Sequence, residues 1–549
     1  MAKASNLLLW LLAASAGCTS SSWRPRTVPL EPPTPARRVE PPKLGVESPL
    51  IQDFGAPPRL TVATTNASAD QPQDAPSSDA AAKATEAPLI AQGQSNASRP
   101  APKPPLELTE VLESVRNRYP PMLAALLEED IANGRLLSAQ GGFDFNIVAK
   151  STLDALGFYR FSDTSIGLEQ PTALGGLALL GGYKISTGTL PVYDGDKKTN
   201  EAGELSAGFR LPLLQGMAID RRRAALSQAQ IDQALADPVI LRQRLDFLRV
   251  AARAYWNWVA AGKRLEIAED LLRIALERDA AIARRVERGD LPGIDRLDNE
   301  RLVVQRRTFV IAAERRFEQA AIELSLYYRD LNDEPVVAKR DRLPTTFPGY
   351  PSPEPQTFDT DVRSAFDLRP EVRRLQLLAD RAGIDLDLAE NQTLPGLDLT
   401  VLGTAPLDDA PYKDKKDFDL KATLEFKMPV QRRDAFGRAD VARTQIQRIQ
   451  FEAQFARDRI RAEIGDALSA RVAAFRQITE FQRNLELARR LEQAERRSFD
   501  LGRSNLIFVN LREQATADAA ALEVDAIAEY LRTLADYAVA CGLQHSVGF

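Results

Sequence analysis

The chain has 549 residues, 44% of them hydrophobic and 27% charged, which is ordinary for a folded protein and long enough for several cores. Its 71 Lys and Arg against 76 Asp and Glu leave a formal net charge of -5, so no basic excess points to a nucleic-acid partner. Two cysteines, Cys18 and Cys541, and one histidine, His545, leave almost no room for thiol, zinc or imidazole chemistry, each of which needs several ligands or a paired base. No pair of acids stands out from those on solvated helix faces, and the expectation is a non-enzyme that holds no cofactor and no metal.

The N-terminus carries Lys3, an apolar run over 7–14, and the small residues Ser15, Ala16 and Gly17 directly before Cys18. Residues 1–17 read as a signal peptide, too short to span a bilayer as a mature helix. They resemble a bacterial lipoprotein signal, in which the cysteine is lipidated and becomes the new N-terminus. Ala16 and Gly17 fit that pattern, whereas the family usually carries Leu where Ser15 stands; ordinary secretion with an incidental cysteine is the other reading. Thr19 occupies the place of the aspartate that marks inner-membrane retention in many such lipoproteins, which points to the outer membrane. Residues 18–104 are rich in Pro, Ala, Ser and Gln without a sustained apolar period, and read as a disordered, lipid-anchored tether. The sequons at Asn66 and Asn96 read as chance matches in a Ser-rich stretch.

A helical pattern begins at Leu106, with Leu108, Val111, Leu112 and Val115 on one face and Met122, Leu123, Leu126, Leu127 and Ile131 after Pro120-Pro121. At Gly141-Gly142 the period changes. Phe143, Phe145 and Ile147 alternate with Asp144, Asn146 and Val148, which predicts a strand with unlike faces; further strands are expected at 177–185 and 204–211, around a polar loop at 194–200. After Pro212 the helical period returns. Leu241, Leu245, Leu248, Ala252, Tyr255 and Val259 form a heptad seam that Leu265, Ala268, Leu272 and Ala275 resume after one phase slip. A helix over 239–288 would reach roughly 75 Å at 1.5 Å per residue, with Pro238 expected to kink or break it on its N-terminal side. Gly289-Asp290-Leu291-Pro292-Gly293 ends this stretch, and a returning helix from Ile294 to about Leu331 makes an antiparallel hairpin.

The same order recurs after a Pro-rich linker at 343–357. A helix from Phe358 contains Arg369-Pro370, strands are expected at 397–402 and 418–428 around a polar loop at 408–417, and a second heptad helix follows Pro429. Its seam is Ile460, Ile464, Ala467, Ala474, Ile478, Phe481, Leu485 and Ala488, and it breaks at Gly502 before a return helix. Leu211-Pro212-Leu213 matches Met428-Pro429-Val430, and Tyr119-Pro120 matches Arg369-Pro370. These landmarks predict an internal duplication, with repeats at 105–342 and 358–549. The first half is longer in its strand region, and the sequence does not fix how many strands it holds.

This ordered set resembles the TolC-like outer membrane efflux family over about residues 105–545. Arg210-Leu211-Pro212-Leu213-Leu214 running into Arg221-Arg222-Arg223-Ala224 looks like the family's passage from strand to helix, and Ala254-Tyr255-Trp256-Asn257-Trp258 like the aromatic cluster early in its long helix. The resemblance implies a mainly α fold with β. Long coiled-coil hairpins form a periplasmic α-barrel, and a homotrimer closes one shared β-barrel in outer-membrane lipid. It further implies a passive exit duct of a tripartite efflux or type I secretion system, working with a periplasmic adaptor and an inner-membrane transporter. The family's hairpin tips dock the adaptor, which carries over to Val286, Gly289, Asp290 and Leu291 and to Leu501, Gly502, Arg503 and Ser504; the other reading is that the glycines only terminate helices. Where the family narrows its mouth with acids, this chain has Asp295 and Asp298 in the first half but Phe508 and Leu511 in the second. That departure puts an apolar constriction at Phe508 beside the alternative that Phe508 packs between helices. Phe158, Tyr159, Tyr183, Phe209, Phe418 and Phe426 are candidates for aromatic girdles or for core packing. The competing function is a lipid-anchored periplasmic coiled-coil adaptor or structural rod without a pore, which amphipathic strands in both halves would disfavour.

Overall fold

In the computed structural model the described residues are 104–190, 199–353, 357–408 and 418–543. The signal peptide, Cys18, nearly all of the tether, His545 and most of the two polar loops lie outside them.

Two helices open the first half, α1 (Leu108–Arg118) and α2 (Pro120–Gln140). Pro120 separates them: it sits at the first position of α2, where a missing N–H costs nothing, and holds Tyr119 extended. A short 3-10 turn at Gly141–Phe143 leads into four strands, β1 (Asn146–Asp154), β2 (Phe161–Pro171), β3 (Ala178–Gly188) and β4 (Glu204–Pro212). Then come the long α3 (Arg221–Glu287) and its return α4 (Gly293–Ser325). The second half runs α5 (Phe358–Leu368), α6 (Pro370–Asn391), β5 (Gly396–Pro406), β6 (Asp419–Lys427), α7 (Arg433–Asp500) and α8 (Leu506–Ala540).

The helix lengths pair across the halves: 11 and 11 residues, 21 and 22, 67 and 68, 33 and 35. The strands do not: among the described residues four stand against two.

The expected break at Pro238 is absent, because α3 runs as one helix of 67 residues from Arg221, roughly 100 Å at 1.5 Å per residue. Pro238 deprives the Ala234 carbonyl of its partner, yet its ring is buried. Ala236 and Ile240 on either side pack on Met122 and Ala132 of α2. Packing along the helix outweighs one lost hydrogen bond. Asp220 caps the start, its Oδ1 accepting from Arg222 N at 2.8 Å and Arg223 N at 3.0 Å.

The heptad seam residues face inward. Leu245, Leu248, Ala252, Tyr255 and Val259 are buried with Leu324 of α4 and Leu531 and Ala535 of α8 in the main core, and Ile460 and Ile464 of α7 pack with Val362 and Ala365 of α5. The aromatic cluster anchors that core. Trp258 is fully buried and stacks on Phe317 at 6.1 Å, and the Tyr255 hydroxyl donates to the Leu106 carbonyl at 2.8 Å. Burial raises the Tyr255 phenol above its ordinary range, with Glu107 and Glu110 adding to it. The Pro-rich linker lies against this body: Leu343 closes on Gly262, where a Cβ would stand 2.6 Å from its Cδ1, and Lys263 donates to the Thr345 carbonyl at 2.8 Å.

Arg369, matched in sequence to Tyr119, ties the junction of α5 and α6 to the end of α8. Its side chain is 2% exposed and donates to the Val539 and Ala540 carbonyls at 3.2 and 3.1 Å, to Glu463 at 2.6 Å and to Glu371 at 3.0 Å.

Candidate functional site

The six strands of the described residues form one antiparallel sheet in chain order, β1-β2-β3-β4-β5-β6, with β1 and β6 as its edges. The strands are 9 to 11 residues long, the length that crosses a hydrocarbon layer at a tilt. Residues directly opposite on antiparallel strands share a face, so the register sorts the side chains. Ile147, Leu168, Gly181, Ala207, Gly403 and Leu420 make one row across the sheet, and Tyr183, Leu205, Phe209, Val401, Leu424 and Phe426 lie on that same face. The opposite face carries Asp163, Lys184, Glu169, Arg210, Thr400, Lys421 and Glu425. It is laced by Arg210–Glu169 at 2.6 Å and Ser186 Oγ donating to Asp163 at 2.8 Å. One face is oily and the other is wet and charged.

Among the described residues nothing covers the oily face at its edges. Every residue of β1 and β6 is exposed, and Ile147, Leu420, Leu424 and Phe426 stand open on it. The sheet is also staggered. The row from Asn146 through Glu169, Leu180, Gly208 and Leu402 reaches Lys421, so it starts at the first residue of β1 and arrives six residues short of Lys427, the last of β6. Over five strand steps, at 3.3 Å per residue and 4.8 Å between strands, that is a tilt of about 40°, inside the range of closed barrels.

At the other ends of α3 and α7 the two hairpin tips share one geometry. Gly289 and Gly502 adopt φ of 77° and 72°, a left-handed conformation that favours glycine. Asp290 N donates to the Arg285 carbonyl and Arg503 N to that of Ser498, both at 2.8 Å, while Gly289 and Gly502 bond back to Val286 and Phe499. Both are Schellman caps. No atom lies within 4 Å of a Cβ built at either glycine, so the backbone angle alone explains them. Asp290, Leu501 and Arg503 are exposed, Val286, Leu291 and Ser504 half-buried. Asn505 caps α8 by accepting from Phe508 N at 3.2 Å.

Asp295 is half-buried and Asp298 exposed, and Phe508 and Leu511 are exposed at 51% and 59%. Ile294, Leu297 and Ile507 are exposed nearby in sequence, giving both tips an apolar surface.

One cluster escaped the sequence reading. Glu513 of α8 is fully buried and binds Arg306 of α4 at 2.9 Å, Arg496 of α7 at 3.0 Å, and Arg278 of α3. Arg306, itself fully buried, also donates to the Leu271 carbonyl at 2.8 Å, and Arg278 to Asn510. Burial lowers the Arg278 pKa from its ordinary value, opposed by Glu513 and reinforced by Arg306 and Arg496. One carboxylate thus joins all four long helices. The signal was in the heptads: Leu506, Val509 and Glu513, like Asn299, Val303, Arg306 and Val310, step by threes and fours, which places charges on inward positions.

Among the described residues no group of acids, histidines and cysteines is arranged to hold a metal, and no helix is long and apolar enough to cross a membrane. Long helices paired with an open, two-faced β-sheet define a class of fold in which the sheet, not the helices, suits a bilayer. The solved structures narrow that class. A membrane protein from Pseudomonas aeruginosa aligns with TM-score 0.57 at 15% identity over 80% of this chain and 91% of its own. The Campylobacter jejuni CmeC outer membrane channel aligns with TM-score 0.56 at 14% identity over 80% and 86%, and the Neisseria gonorrhoeae MtrE outer membrane channel with 0.55 at 15% over 80% and 90%. The sequence matches no family model and no curated protein. In fold the chain is similar to these outer membrane channels.

Proposed function

We propose that this chain is an outer-membrane duct subunit whose sheet is one share of a β-barrel closed by three copies, with the long hairpins extending into the periplasm. The observation that carries it is the sheet: six strands of membrane-crossing length, one continuous apolar face, and two unpaired edges. An open edge in lipid leaves backbone groups without partners, so such a sheet has to be completed by other copies. The paired helix lengths support reading residues 105–342 and 358–549 as two repeats of one ancestral unit. Coiled-coil packing of the hairpins is supported by their buried heptad seams.

The duct is passive. It serves a tripartite efflux or type I secretion system, in which a periplasmic adaptor docks on the tips at Val286, Gly289, Asp290, Leu291, Leu501, Gly502, Arg503 and Ser504. The exposed apolar residues beside both glycines support that docking. Phe508 and Leu511, with Asp295 and Asp298 in the first half, form the periplasmic constriction, and Cys18 carries the lipid anchor. The adaptor or rod reading loses ground because neither has use for a sheet with an oily face.

The test is the protein purified from outer membranes, its mass in detergent and its single-channel conductance in a planar bilayer. Trimers with discrete, mostly closed conductance that rises on Phe508→Ala support the duct and its gate. Monomers without conductance would sink it.

A further inference from the structure

The first half supplies four strands where the second supplies two. The extra pair is not a surface loop. β1 and β2 have spanning length, and they continue the apolar face through Ile147, Ala149, Ile166 and Leu168 at the register of the rest of the sheet.

The two edges also fit each other. β1 leaves the helical body after α2 and β6 returns to it before α7, so β6 of one copy runs antiparallel to β1 of the next. The stagger selects a register. With strand ends level, Asp154 would face Asp419. Continuing the climb seen across the sheet by two residues instead sets Ser151 opposite Leu424 on the apolar face, and on the polar face it sets Lys150 against Glu425 and Asp154 against Lys421.

We infer that β6 of one copy pairs with β1 of the next in this register, so that three copies close a barrel of eighteen strands. This rests on the three-copy duct proposed above. Two strands per half would build only twelve. At a tilt near 40° the eighteen-stranded wall is about 36 Å across, against about 24 Å for twelve. A barrel of that strand number holds an aqueous channel rather than a side-chain core. The polar face carrying Lys184, Glu169 and Arg210 is the lumen.

The test uses the full chain with Ser151→Cys and Leu424→Cys together, oxidised in outer membranes and run on a denaturing gel beside each single variant. The native Cys541 is buried. In the double variant alone, the monomer band shifts to a covalent band of three chains. A second pair, Tyr183→Cys with Leu424→Cys, reports the competing seam, in which β3 meets β6 and the first hairpin stands outside the wall; cross-linking there overturns the proposal. Mass in detergent counts the copies independently. Two copies joined by the first pair overturn eighteen strands, and three copies joined by neither pair overturn the seam. Monomers with no cross-link overturn the shared barrel itself.

Discussion

The helical body and the sheet are satisfied in opposite ways. In the body each apolar seam meets another within the chain, and even a buried carboxylate is answered by three guanidinium groups. In the sheet the interior ladders are complete, but among the described residues nothing pairs with the edge strands β1 and β6 or covers the oily face there. A chain can thus carry one part whose apolar surface is covered from within and another whose apolar surface is left open.

The sharpest way to break the contrast from the helical side is Glu513→Ala. It strands Arg306 fully buried without its counter-charge, and a loss of about 3–5 kcal/mol is expected, read as a fall in the helical melting temperature in detergent. Restoring melting with Arg306→Met on top of Glu513→Leu would show that the stranded charge is the cause.

From the sheet side, Leu424→Arg puts a charge on the oily face, at an expected cost of about 2–4 kcal/mol for a mid-membrane position, whereas Thr423→Arg next to it faces the polar side and is expected to be near neutral. Assembly recovered from outer membranes is the measurement, with helical melting unchanged in both. Equal effects of the two would refute the assignment of faces.

Smaller effects sharpen the picture at the tips. Gly289→Ala and Gly502→Ala each force a left-handed angle on a side chain, about 1–2 kcal/mol, with no clash because the space is open. Amide exchange is expected to quicken at the mutated tip and nowhere else.

The smallest effect is a pH dependence at Glu371. Burial alone would raise this carboxyl, but Arg369 and then Arg242 hold it below its ordinary value. A lowered carboxylate contributes stability at pH above its unfolded value and loses it as pH falls through the folded one. The melting temperature of the wild type should therefore approach that of Glu371→Gln on acidification; a gap independent of pH would refute it.

Much of this was legible in the sequence, and the omissions have physical causes. The inward faces of the long helices are written in their three-and-four spacing, and the hairpin tips in their glycines. β3 through β6 lie within a few residues of where alternation and glycine content predicted them. β2 was invisible because Ser162, Thr164 and Gln170 stand on its oily face and interrupt the alternation, and its partners across the sheet rather than its own propensities make it a strand. β1 begins three residues after its predicted start because Gly141–Phe143 is spent on a tight turn. Of the kink or break expected at Pro238 the break does not occur, because the helix is held by its neighbours. Glu513 was missed because its partners Arg278 and Arg306 lie 235 and 207 residues away. For the tips, the sequence located the turns, while the docking role came from resemblance.

The strand order has a consequence in time. β1 to β4 follow one another closely in sequence, whereas β4 and β5 are separated by the 67- and 33-residue helices among others, so their pairing is a non-local contact. Strands that have not yet found their partners present open backbone edges, so the chain order makes the join between β4 and β5 the step that the helical body has to bring about.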